Sequence, residues 1–244
     1  MNTSSGLQMP MLAIELSQRE GGVAVVGEEI EPTVVPVTGG RREKDELLPA
    51  VRCVLQSAGV SVKDLGTVAV DVGPGGFTGL RISIAAGQML AEIAGASIVG
   101  IPGAEVAASS TPAVRERALV GTILVIAAIR NGTAWATRLQ RLAPGADWRP
   151  VGRPILAAGP PQGHFDLVLA DEHLEPAWRS HFESQEIEIV EPVHSAGGLA
   201  DLLRRSMPGS PPDSWHVSRD AATLRPIYPR EPEAVRLWKN RSAR

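Results

Sequence analysis

Four glycines and one proline fall within seven positions, Gly73-Pro74-Gly75-Gly76-Phe77-Thr78-Gly79, between the β-branched run Thr67-Val68-Ala69-Val70-Asp71-Val72 and a second apolar run beginning at Leu80. Glycine permits positive φ and leaves its peptide N–H unshielded. A strand-to-helix turn of this kind has the chemistry to hold an anion at a helix N-terminus, or to admit another stretch of backbone at close range. Its spacing differs from the common phosphate cradles: no lysine stands where a P-loop needs one, and Phe77 occupies a place that needs a small residue. With no serine or cysteine in the turn, a nucleophile elbow is excluded. A rigid structural turn and an anion site both stay consistent with these residues.

Other chemistry-bearing side chains are sparse. Cys53 is the single cysteine, so neither an intrachain disulfide nor a cysteine-rich metal site can form; its helix is expected to carry it on or beside the apolar face, as inert filler. The five histidines, His164, His173, His181, His194 and His216, are scattered, and the spacing of eight from His173 to His181 differs from the three or four that would place two ligands on one helix face. They are expected at the surface or between lobes. No serine stands in a strained turn beside a histidine in sequence, which leaves only a triad assembled by the fold. Catalytic residues, a metal and a cofactor are therefore not expected.

The elements that position the glycine turn follow from periodicity. Leu12 to Leu16 and Gly22 to Val26 read as a hairpin, Thr33 to Val37 as a third strand, and Thr67 to Val72 as the strand entering the turn. Asp45 to Ala58 carries Leu47, Leu48, Val51, Val54 and Leu55 at helical spacing. Gly79 to Gly95 reads as a helix capped by Thr78 and rich in small residues, with Ile82, Ile84, Ala85, Met89, Leu90 and Ile93 wrapping much of its circumference. Ser97 to Ile101 is a short strand and Ala104 to Ser110 opens another helix. Gly121 to Ile129 and Thr133 to Leu139 flank Asn131-Gly132, a type I′ hairpin pair. Pro144 to Pro161 reads as an irregular connection, Asp166 to Ala170 as a strand and Gly198 to Met207 as a helix. Alternating strands and helices make this an α/β chain, and the repeated strand–turn–strand opening predicts two related lobes.

At 244 residues, 43% hydrophobic and 21% charged, the chain can bury a full core. A formal charge of −3 gives no general basic footprint for a phosphate backbone, so unaided nucleic-acid binding is not expected. No apolar run approaches bilayer length and no secretory h-region opens the sequence, which predicts a cytoplasmic protein with no membrane contact.

The run Gly73 to Ile82 resembles the signature of the TsaB (YeaZ) family of bacterial tRNA threonylcarbamoyladenosine biosynthesis proteins, with Gly76 where the family usually has serine. Met11 to Ser17 with Gly22 to Val26, Glu46-Leu47-Leu48-Pro49, and Pro226-Ile227-Tyr228-Pro229-Arg230 are similar to further family segments. Residues 1–10 read as a flexible leader, and the resemblance implies an actin-like ATPase, ribonuclease H-like fold with an N-terminal lobe over 11–103 and a reduced C-terminal lobe over 104–244 whose last segment returns to the first. It places Gly73, Pro74, Gly75, Gly76, Phe77, Thr78, Gly79 and Arg81 in the signature loop. It also implies a non-catalytic subunit that binds and activates a TsaD-like threonylcarbamoyltransferase, with a TsaE-like ATPase as further partner and tRNA met only through the complex. The implied helix contact, shared with a second copy in a homodimer, falls on Leu47, Leu48, Val51, Val54, Leu55, Leu80, Ile84, Ala85, Gly87 and Leu90. Actin-like ATPases place an acidic residue at the end of the first strand; here Glu15 replaces the family's aspartate and reads as a loop-edge residue, and Glu43 replaces a histidine common at the first helix. The alternative class is a stand-alone ATPase, acyltransferase or glycoprotease-like peptidase.

Overall fold

The computed structural model describes residues 7–38, 46–117, 120–207 and 209–230. In chain order its strands and helices are β1 (Met11–Glu15), β2 (Glu20–Val26), β3 (Thr33–Thr38), α1 (Leu47–Ser57), β4 (Thr67–Asp71), α2 (Phe77–Ala94), β5 (Ser97–Ile101), α3 (Gly103–Ser110), α4 (Pro112–Arg115), β6 (Gly121–Arg130), β7 (Thr133–Arg141), β8 (Arg149–Pro150), β9 (Ile155–Ala157), β10 (Leu167–Leu169), α5 (Pro176–Glu183), β11 (Ile189–Val190), α6 (Ala196–Ser206) and β12 (His216–Ser218). They form two sheets. The first runs β12-β5-β4-β1-β2-β3, with β1, β4 and β5 parallel; the second runs β11-β10-β6-β7-β8, with β9 also paired to β7.

Strand alternation builds two cores from the first sheet. Leu12 and Ile14 of β1, Val68 and Val70 of β4, and Val23 and Val25 of β2 face α1 and α2, whereas Met11, Ala13, Ala24 and Ala69 face α6. In the second sheet Leu124 and Ile126 of β6 meet Trp178 and Phe182 of α5, and Ile123 and Val125 meet Ala104, Ala107 and Ala108 of α3. Helix α3 lies between the sheets because its alanines leave room on one side while Val106 packs on the other. The β6–β7 hairpin has positive φ at both Asn131 and Gly132, as a type I′ turn requires.

Several expectations shift. Helix α2 begins earlier than Gly79, and its N-cap is Gly76 rather than Thr78, which makes no side-chain cap; Gly95 closes the helix in the left-handed conformation. Leu7 is buried, and the Gln8 backbone N–H donates to Thr67 Oγ1 at 2.9 Å while that hydroxyl donates back to the Gln8 carbonyl at 2.8 Å, so residues 7–10 pack as part of the fold rather than as a leader. The second half of the chain also serves the first sheet, since α6 packs on it and β12 extends its edge beside β5. Within Pro144 to Pro161, β8 and β9 form short edge pairs on β7. The expected helix start at Asp45 and the departure at Glu43 lie outside the described residues.

Candidate functional site

The glycine turn proves to be a clasp. A Cβ on Gly75 would stand 2.5 Å from the Ser17 carbonyl oxygen, and one on Gly79 would overlap the Leu16 carbonyl oxygen, so these glycines exist to let the β1–β2 turn lie against the start of α2. The Gly76 N–H donates to Ser17 O at 2.7 Å and the Gly73 N–H to Asp71 Oδ1 at 2.6 Å. Two of the loop's donors, the Gly73 and Gly76 N–H groups, are thus bonded inside the chain. Beyond the clasp, the Arg81 guanidinium lies 3.9 Å above the Phe77 ring, Phe77 meets Tyr228 at 5.6 Å between centroids, and Arg81 Nε donates to the Tyr228 hydroxyl at 3.2 Å. Two sequence-distant motifs therefore form one exposed patch. The same C-terminal segment joins the sheets: the Ile227 N–H donates to Val72 O at 2.8 Å, and Arg230 donates to Ala128 O and Thr133 O on the β6–β7 hairpin.

Helices α1 and α2 lie on one face of the first sheet, and their buried and exposed stripes divide the expected contact residues. Leu47, Val51, Val54, Leu55, Leu80, Ile84, Gly87 and Leu90 are all buried against the sheet. A Cβ on Gly87 would stand 2.6 Å from Val70 Cγ2, so this glycine serves contact with β4 and not with a second protein. Of the ten, only Leu48 and Ala85 are exposed. The physical reason is that a helix on a sheet must bury its strongest apolar stripe, and that stripe was the one read from the sequence. A second stripe faces outward. Ile82, Ala85, Met89 and Ile93 follow one another at three- and four-residue spacing along α2, with Phe77 at its N-terminal end, and Ile82, Met89 and Ile93 are 48%, 44% and 55% exposed. Cys53 is also exposed, on the outer face of α1, and is not buried filler.

The ends of β1 and β4 hold a polar cluster that sequence reasoning missed. Glu15 is the last residue of β1 and is wholly buried, not a loop-edge group. Its Oε1 accepts from the Ser17 N–H at 2.6 Å and from the Ser17 hydroxyl at 2.5 Å, while Ser17 Oγ also lies 3.1 Å from Asp71 Oδ2. His194, in the loop before α6, brings Nδ1 to 3.3 Å from Asp71 Oδ2, with its side chain 6% exposed. Burial and the Asp71 charge push the Glu15 carboxyl above its ordinary range. For His194 burial opposes the charged ring, yet the Asp71 hydrogen bond and the charges of Asp71 and Glu15 outweigh it, and its pKa rises. One donor atom from each of Glu15, Asp71 and His194 lies within 4.8 Å of the others, so these three residues could hold a cation. Ser17 and His194 both approach the Asp71 carboxylate, and Ser17 is fully buried; this is not a nucleophile–base pair open to a polymer. The other four histidines stay apart from the cluster. A signal was present in the sequence: the two parallel strands run in register from Met11↔Thr67, so each ends on a carboxylate, but His194 is 123 residues from Asp71.

A cleft of about 970 Å³ opens between the sheets, lined by Pro74, Glu105, Trp135, Arg149, Arg153 and Ser214 among others. Glu105 is buried, accepts from Trp215 Nε1 at 2.9 Å through Oε2, and is pushed by burial to about 6.

Comparison with known proteins matches this architecture. A solved structure from Pseudomonas aeruginosa, described as an uncharacterised protein with similarity to peptidase YeaZ, superposes with a TM-score of 0.71 at 20% identity, covering 91% of this chain and 100% of that one. The chain has the YeaZ fold. The fold is thus the mixed α/β, actin-like and ribonuclease H-like architecture that the glycine signature implied. Residues 25–143 match the family model for TsaD, tRNA N6-adenosine threonylcarbamoyltransferase. Among curated relatives, the TsaB tRNA threonylcarbamoyladenosine biosynthesis protein of Buchnera aphidicola is 45% identical over 56 residues, 23% of this chain and 27% of that one. A tRNA N6-adenosine threonylcarbamoyltransferase of Sphingopyxis alaskensis is 33% identical over 81 residues, 32% of this chain and 24% of that one. Each match spans about a quarter of the relative's length. The resemblance to TsaB (YeaZ) proteins, first read from Gly73 to Ile82, stands on both sequence and fold.

Proposed function

We propose that this chain is a non-catalytic subunit of the machinery that makes N6-threonylcarbamoyladenosine at position 37 of tRNA, and that it binds and activates a TsaD-like threonylcarbamoyltransferase through the outer face of α2. The exposed stripe Ile82, Ala85, Met89, Ile93 carries the reading. Contiguous apolar surface left on a folded chain marks an interface. Ile82, Met89 and Ile93 are each about half exposed, so covering them removes from water roughly half of the 1.5–3 kcal/mol that a fully buried aliphatic side chain represents, about 1 kcal/mol apiece. Local similarity to both TsaB and TsaD proteins agrees with a pair of paralogues sharing one helix geometry. The glycine clasp agrees with a structural role for this turn, because the Gly73 and Gly76 N–H groups bond Asp71 and Ser17 within the chain.

In this reading the subunit favours the competent conformation of its partner by binding it better than the alternatives. A TsaE-like ATPase joins the assembly, tRNA is met only through the complex, and the same α2 face serves a homodimer when the partner is absent. The site of action is the cytoplasm; no helix among the described residues is long and apolar enough to cross a membrane. Depletion of the chain followed by mass spectrometry of digested tRNA tests the function. Threonylcarbamoyladenosine is expected to fall and to be restored by wild type but not by a Met89→Asp, Ile93→Asp double variant. Unchanged modification on depletion would remove the proposal.

A further inference from the structure

We infer that Glu15, Asp71 and His194 form a binding site for a single divalent transition-metal ion of the Zn²⁺ class, which fastens the loop entering α6 to the ends of β1 and β4. The inference does not depend on the partner reading. Its first support is a deficit of protons and charge. Ser17 Oγ carries one hydrogen but lies 2.5 Å from Glu15 Oε1 and 3.1 Å from Asp71 Oδ2, so it can donate to only one of these two oxygens. Two buried carboxylates face each other here, and among the described residues the one side chain that ion-pairs with either is His194. A buried pair of like charges is costly unless a cation or a proton joins them.

The second support is independent. Glu15 Oε2 is buried and has no hydrogen-bond partner, although the other oxygen of the same carboxylate is doubly bonded by Ser17. Its side chain is fully enclosed, so no bulk water satisfies that oxygen. Geometry allows an ion to do so. Three atoms no more than 4.8 Å apart share a point within about 2.8 Å of each, and shifts below about 1 Å bring them to the 2.0–2.2 Å that zinc requires of nitrogen and carboxylate ligands. The donors are one imidazole and two carboxylates, a set that suits zinc and its neighbours better than calcium, and the net charge with neutral His194 is zero. Orientation is already fixed from outside: the Gly73 N–H holds Asp71 Oδ1 and Ser17 holds Glu15 Oε1, as outer-shell partners do around metal ligands. The clasp also packs Leu16 and Ser17 against Gly75, Gly76 and Gly79, which holds the turn that carries Ser17 beside the cluster.

Isothermal titration of metal-stripped protein with Zn²⁺, with Mg²⁺ as control, tests the site. The expected result is one saturable Zn²⁺ per chain and a raised melting temperature, with binding weakened at least tenfold by Glu15→Gln and by His194→Gln but unchanged by His173→Gln. Co²⁺ in place of Zn²⁺ should give visible absorption that is lost with His194→Gln. Absence of saturable Zn²⁺ binding to the wild type overturns the inference and leaves a shared proton as the answer to the deficit; binding that survives both substitutions overturns it in favour of surface histidines. The wild-type titration decides even where a variant fails to fold.

Discussion

Gly79→Ala is the substitution that most sharply separates a clasp from an anion cradle. The added methyl would overlap the Leu16 carbonyl oxygen and stand 3.1 Å from the carbonyl carbon, and both the methyl and its obstacle are fixed to backbone, so neither can swing away. Overpacking of this kind costs about 1–3 kcal/mol, here at the upper end, against a gain of up to about 1 kcal/mol from replacing glycine with alanine in a helix. The net loss is about 2 kcal/mol, which for a chain of this length lowers the melting temperature by roughly 4–8 °C. Gly76→Ser is the matched control. A Cβ there meets only Ser17 O at 3.5 Å, an ordinary contact, and serine is at least as good an N-cap as glycine, so stability should hold or rise by a few tenths of a kcal/mol. Urea unfolding followed by circular dichroism measures both. If Gly79→Ala is as stable as wild type, or if the two variants fall together, the glycines are not there to admit Leu16 and Ser17.

Three further outcomes follow from burial and charge. Met89→Asp and Ile93→Asp should melt within about 1 kcal/mol of wild type because both sites face water, whereas Leu90→Asp, buried between them, should abolish cooperative unfolding; thermal denaturation distinguishes the faces. Burial holds the Glu105 carboxyl at about 6, above its ordinary 4.5, so the folded state keeps this proton longer than the unfolded chain. The stability it contributes at low pH is lost as pH rises from about 4.5 to 6, on the order of 2 kcal/mol, and Glu105→Gln should flatten that part of a pH–stability curve. Arg230→Ala removes donors to the Ala128, Arg130 and Thr133 carbonyls and should cost about 1–3 kcal/mol, read as earlier protease cleavage at the β6–β7 hairpin.

What the sequence made legible was periodicity; what it hid was direction. Leu47, Val51, Val54 and Leu55 share a helix face in the structure as their spacing requires, but spacing does not say whether that face meets a sheet or a second protein. In α2 the ring of apolar residues included both answers: Ile84, Gly87 and Leu90 turn to the sheet, and Ile82, Met89 and Ile93 turn away from it. The turn at Asn131-Gly132 was readable because type I′ geometry is a local demand on two residues. Thr78 is a good capping residue by type, yet the helix starts at Gly76, whose N–H bonds the Ser17 carbonyl, a tertiary contact that no local rule carries. Glu15 reads from sequence as a loop-edge group because nothing local shows its neighbours Asp71 and His194, which only the fold brings beside it.

The central claim, that α2 offers its outer stripe to a TsaD-like partner, is tested most directly by amide hydrogen exchange on the chain alone and mixed with a TsaD-like protein. The account predicts co-elution of the two proteins, added protection concentrated on residues 77–94, and loss of both with Ile93→Asp. Co-elution with protection elsewhere, or undiminished by Ile93→Asp, would contradict it.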